Sequence, residues 1–183
     1  MAANARSAEV TAIGQLLTDY NNLEVGLLHC VQQGIGDFDL AFKTMFAKRG
    51  ETPRVNAAQK IGRPAYEALG LEADFDLAIE AIRHALQIRN QYAHWTWWDD
   101  NSGQLAIANL EDLAKDPETV SNFDRLRVHH VDMPLLRAQL EFFAYVDLSV
   151  GWVNYEGRYL MGKLKQRFGP KPTPTAPPPL NHR

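Results

Sequence analysis

A single cysteine, Cys30, is all the thiol chemistry this chain has. It excludes an intramolecular disulfide and a zinc site built from several cysteines. Long apolar runs are missing too: no stretch reaches the roughly 20 apolar residues that a membrane span needs. The opening MAANARSAEV lacks the apolar centre of a secretory signal. A cytoplasmic location with no membrane partner is the expectation. Nor is there an excess of positive charge. A net charge of −3 argues against tight, sequence-blind binding to long nucleic acid, which calls for a basic surface. It leaves open the recognition of a short RNA in a local cleft. What remains is a globular composition, 45% hydrophobic and 22% charged over 183 residues, enough for one domain with its own core plus tails.

Residues 8–33 predict a long amphipathic helix. Ile13, Leu16, Leu17, Tyr20, Leu23, Leu27, Leu28 and Val31 recur at helical spacing, behind Ser7 as N-cap. Gly34-Ile35-Gly36 ends it, and Asp37 caps a short helix with Phe38, Ala41, Phe42, Met45 and Phe46 as its apolar residues. Thr52-Pro53 opens a third region, which Pro64 divides into two short pieces. Asp74 caps the next helix, whose apolar face is Phe75, Ala78, Ile79, Ile82, Ala85, Leu86 and Ala93, with Asp76 in its first turn. From Pro134 to Lys165 runs the longest helix, with Leu136, Leu140, Phe143, Val146, Val150, Val153 and Leu160 on one side. Gly151 and Gly157 are places where it can bend or pack closely.

Between these helices, Trp95–Trp98 and Gln104–Asn109 flank the turn residues Asp99 to Gly103 as a β-hairpin, and 110–131 is polar and irregular. The expected fold is all-α: an up-and-down helical bundle of four main helices, with extra short helices and one small β-hairpin insertion at 94–109. Residues 1–7 are expected as a flexible N-terminus and 8–168 as the helical domain. Residues 169–183, GPKPTPTAPPPLNHR, are expected as a disordered proline-rich tail that neither holds a helix nor pairs in a sheet. His129-His130 lacks a nearby cysteine or metal-ligand spacing, so no metal or cofactor is expected. The tryptophans beside the hairpin fit a core better than a base-stacking platform.

Two residues break the apolar pattern. Arg89 falls one turn after Ala85 and one turn before Ala93, and Glu24 lies inside the stripe of the first helix. A buried charge must be paired or aimed into a cleft. Glu24 and Arg89 read as a structural ion pair or as an acid orienting a catalytic arginine, and the two roles are compatible. Five residues after Arg89, His94 closes its helix. A guanidinium beside an imidazole suits a phosphodiester: one holds the phosphate, the other moves a proton near neutral pH.

The hexamer Arg89-Asn90-Gln91-Tyr92-Ala93-His94, near the end of a middle helix and followed by a long one, resembles the HEPN superfamily. The hallmark of that family is an arginine, a polar residue and, a few residues on, a histidine. The resemblance covers roughly Ala8 to Gly169, and the hairpin is an insertion with no counterpart in it. It implies a metal-independent endoribonuclease acting as a homodimer, in which two copies of the motif form one composite cleft for an RNA substrate. It also implies a toxin–antitoxin or defence setting, with a cognate antitoxin as partner. Carried over by position, Arg89 contacts the scissile phosphate, His94 is the general base or acid and Asn90 orients them. Glu24 and Tyr92 stand beside them as substrate-binding or orienting residues. The alternative is a non-catalytic helical dimer of the same type that binds RNA, nucleotide or a protein partner.

Overall fold

The structure, a computed structural model, describes residues 6–118 and 120–182. It is mostly helical: α1 (Ser7–Ile35), α2 (Phe38–Phe46), α3 (Glu51–Ala68), α4 (Glu72–His94), α5 (Leu110–Ala114) and α6 (Met133–Leu160). The strands are β1 (Thr96–Asp99), β2 (Leu105–Ala108) and β3 (His129–Val131). The expected helical bundle with four main helices and a small β insertion is therefore observed; the hairpin supplies β1 and β2, and β3, from the stretch expected to be irregular, adds a third strand. No described helix is long and apolar enough to cross a membrane. The described residues gather into two compact units, 6–18 with 87–141 and 178–182, and 19–86 with 142–177.

In the unit containing α2 and α3, side chains at helical spacing supply the core: Leu23, Leu27 and Val31 of α1, Val55, Ala58 and Tyr66 of α3, Phe75, Ile79 and Ile82 of α4, and Val146, Val150 and Val153 of α6. Tyr66 stacks on Phe75 with ring centroids 4.6 Å apart, and its hydroxyl donates to the Cys30 carbonyl at 3.0 Å. Gly157 packs closely, since a Cβ there would stand 3.1 Å from the Tyr66 ring, tighter than an ordinary contact; at Gly151 a Cβ would meet nothing within 4 Å. Cys30 is buried, donates to the Val150 carbonyl at 3.2 Å, and burial pushes its thiol up to about 12.

α3 is one continuous helix through Pro64, not two pieces. Pro64 and Lys60, whose carbonyl it leaves without its helical donor, are both exposed, so water can take that carbonyl, while buried Val55, Ala58, Gly62 and Tyr66 hold the helix together. Asp74 lies inside the first turn of α4, not at its cap, and pairs with Lys171. Of the apolar residues of α2 only Ala41 and Met45 are buried; Phe38 and Phe42 are exposed and stack along the helix surface. Asp37 does cap α2, accepting from the Leu40 amide at 3.0 Å.

In the other unit the sheet order is β1-β2-β3, all antiparallel, with Trp97 opposite Ile107, and Leu105 opposite Val131. β2 does not alternate: Leu105 through Ala108 are all buried, because this central strand is covered on both faces. The turn carries Asn101 and Gly103 at φ of 64° and 89°, left-handed values that asparagine and glycine tolerate best. The polar stretch before β3 contains α5, capped by Asn109, whose side chain accepts from the Glu111 amide at 3.0 Å. Of the expected flexible N-terminus, residues 1–5 lie outside the described residues. Arg6 is anchored, donating to the Gly103 carbonyl at 2.8 Å and pairing with Asp99 at 3.2 Å, and Ser7 already belongs to α1 rather than capping it.

The tail differs most from expectation. Lys171, Pro172 and Pro174 line a small pocket with Trp152 and Asp74. Farther on, His182 pairs through its backbone with His130, adding a bridge to the edge strand β3. Pro178 is buried. A proline-rich segment cannot make a full ladder, but its carbonyls can still accept, and two buried glutamines supply the donors. Arg183 lies outside the described residues.

Candidate functional site

The hexamer sits on the last two turns of α4, within the unit that carries the sheet. At 3.6 residues per turn, Asn90 and His94 project about 40° apart, whereas Arg89 and His94 project roughly 140° apart. The structure follows this rule. Gln87, Asn90, Gln91 and His94 share a face and, with Trp95, Asn109, Glu111 and Leu180, line an open cleft of about 460 Å³. His94 is exposed there at the helix end, closed by the Trp95 amide donating to the Gln91 carbonyl at 3.0 Å. Arg89 is half-buried and does not line the cleft, but its Nη1 donates to the Asn90 Oδ1 at 3.0 Å. Asn90 thus links the guanidinium to the surface that carries the imidazole.

The expected apolar face of α4 shifts at this point. Ala93 is exposed, and the buried residues of the last turns are Ile88, Gln91 and Tyr92. Together with Ala81 and Ala85 they form a second stripe, one position round from that of Phe75, Ile79 and Ile82. Arg89 therefore stands at the edge of the buried face rather than in its middle.

Tyr92 is buried and donates its hydroxyl to the Gln139 Oε1 at 2.7 Å, so it is not presented to a substrate in the cleft. Burial raises the Tyr92 hydroxyl well above the ordinary phenol range, which keeps it a donor. Gln139 in turn donates to the carbonyls of Pro179 and Leu180 at 2.9 and 3.1 Å. Gln91 donates to the same Leu180 carbonyl at 2.8 Å and accepts from Asn181 at 2.7 Å. Both glutamines are buried, and they fix Leu180 as part of the cleft wall. Sequence reading missed this network. Its signal was present in Gln139, a polar residue on the apolar stripe of α6, as Glu24 is on that of α1.

Glu24 belongs to the other unit. It is buried and accepts from the Arg54 Nη1 at 3.2 Å, a partner that sequence reading did not name. The Arg54 guanidinium also lies over the Phe46 ring, 5.1 Å from its centroid. His129 and His130 lie on β3 rather than in a loop, and His130 Nε2 meets the Asp100 Oδ2 at 2.9 Å. Among the described residues no group of three or more His, Cys, Asp or Glu gathers as a metal site.

No known protein family, curated protein or solved structure matches this chain.

Proposed function

We propose that the chain is an endoribonuclease of HEPN type, acting as a homodimer in which two copies of the Arg89–His94 hexamer face one RNA strand. The observation that supports this reading is the placement of Asn90 and His94 on the wall of one open cleft, with the Arg89 guanidinium held on Asn90. The exposed imidazole of His94 takes the proton of a ribose 2′-hydroxyl, and the 2′-oxygen attacks the adjacent phosphorus. The P–O5′ bond breaks, the 5′-oxygen receives a proton from an imidazolium, and a 2′,3′-cyclic phosphate remains. Arg89 stabilises the charge that builds on the phosphoryl oxygens. An isologous dimer presents the same patch twice, so one short motif supplies two arginines and two histidines to one cleft. A toxin–antitoxin or defence setting, with a cognate antitoxin as partner, and a cytoplasmic location belong to the same reading.

The test is incubation of the purified protein with total RNA, with and without EDTA, followed by end-group analysis. His94→Ala is expected to slow cleavage by roughly 100-fold or more with the fold intact. Arg89→Lys is damaging because an ammonium cannot reproduce the guanidinium fork on a phosphate. Cleavage persists in EDTA, since every group this chemistry uses is a side chain, and a 2′-deoxyribose at the scissile position resists. Equal cleavage by wild type and His94→Ala refutes the assignment. The absence of Arg89 from the cleft wall favours one second reading, a non-catalytic helical dimer that binds RNA, nucleotide or a protein partner. RNA binding without cyclic-phosphate products would establish its RNA-binding form.

A further inference from the structure

Beside the His94 cleft lies a larger cavity of about 540 Å³, within the size range of small-molecule sites. Trp95 and Asn109 line both, so the two adjoin within one unit. The rings of Trp95 and His129 have centroids 5.6 Å apart and are tilted by 38°, giving the cavity an aromatic wall. Asn109 spends its side-chain oxygen on capping α5, which leaves its amide nitrogen to donate. Two arginines, Arg125 and Arg127, also line the cavity. Arg125 is engaged by Asp116 and Glu118, whereas Arg127 is exposed and has no ion pair among the described residues.

We propose that this cavity binds the nucleotide next to the scissile phosphate in single-stranded RNA, its base stacked on Trp95 and its phosphate held by Arg127. The proposal rests on the RNA reading of the adjoining cleft and names the substrate class. Unpaired RNA is required because a base inside a duplex is already stacked on both faces and cannot offer one to Trp95. Every base has a π face, so this subsite adds affinity with little sequence preference.

The test measures binding apart from cleavage. The probe is a fluorescein-labelled, fully 2′-O-methylated single strand of about ten nucleotides, in the length range such grooves hold, titrated with full-length protein by anisotropy. Trp95→Ala is expected to weaken binding roughly tenfold or more, and Trp95→Phe to retain most of it. Arg127→Ala weakens binding and lowers the slope of log affinity against log salt by about 0.7. Arg137→Ala, which removes an exposed cation of α6, leaves both unchanged. If wild type binds the strand and Arg127→Ala and Trp95→Ala bind it equally well, the subsite is refuted while the RNA reading stands. Equal affinity for a duplex of the same sequence also refutes it. If wild type neither binds the strand nor cleaves RNA, the RNA reading falls and the subsite with it. Should Trp95→Ala not fold, the exposed Arg127 decides.

Discussion

Gln139 ties together three things that the chain brings from far apart: the Tyr92 hydroxyl and the carbonyls of Pro179 and Leu180. Its side chain is fully buried, so replacing it by leucine keeps the volume but removes every hydrogen bond. The two carbonyls have other recourse: Pro179 is exposed, and the Leu180 carbonyl still receives Gln91. The Tyr92 hydroxyl, which also neighbours the Gln91 side chain, loses the acceptor it donates to, and a buried donor left unsatisfied costs about 1–3 kcal/mol. With roughly 1 kcal/mol for the lost tail bonds, Gln139→Leu is expected to cost about 2–4 kcal/mol. Tyr92→Phe alone strands the glutamine oxygen and costs about 1–2 kcal/mol. The double variant removes donor and acceptor together, so it should be more stable than the sum of the single losses predicts, by about 1 kcal/mol or more. Urea unfolding followed by circular dichroism measures all four species. Strict additivity, or a Gln139→Leu midpoint equal to that of wild type, would show that the bond carries no stability and that the tail is not anchored through it.

Cys30, buried with its thiol pushed up to about 12, should resist iodoacetamide at pH 8 in the native protein and react once urea unfolds it; fast native labelling would contradict its burial. Glu24→Gln removes the charge from a buried carboxylate that accepts from Arg54, and should cost about 1.5–3 kcal/mol by thermal unfolding; no change in midpoint would place Glu24 effectively in solvent. The Asp100 carboxyl is held below the ordinary carboxylate range by hydrogen bonds from Ser102 and His130, and that of Asp132 chiefly by the Leu135 amide and also by His182. Because the folded values lie below the unfolded ones, near 4, their stabilisation is complete above about pH 4 and is lost as pH falls through the folded values. Asp100→Asn should therefore flatten the acid limb of a stability–pH profile below pH 4, and an unaltered limb would count against this pairing.

The sequence by itself determined the four main helical regions and their order, but not α5, which lies in a stretch that reads as irregular. Apolar spacing in α1 and α6, the Asp37 cap and the turn between Trp98 and Gln104 are short-range signals, each set by backbone sterics and by which side chains share a face. Helix geometry puts Asn90 and His94 on one side of α4 and Arg89 on another, although the hexamer in the sequence reads as a guanidinium beside an imidazole. Pro64 misled because the preference of one residue is a local cost, and burial of Val55, Ala58 and Tyr66 in the same helix outweighs it. Only the tertiary structure decided what the buried polar residues hold. Glu24 and Gln139 are visible in the sequence as polar groups on apolar stripes, but Arg54 lies 30 residues from the first and Leu180 lies 41 from the second. Such partners are chosen by which donors and acceptors the packed chain leaves unsatisfied, and spacing along the chain carries no record of that. The tail shows this most plainly: its composition predicts a solvated polyproline strand, yet its carbonyls are the acceptors that two buried glutamines require.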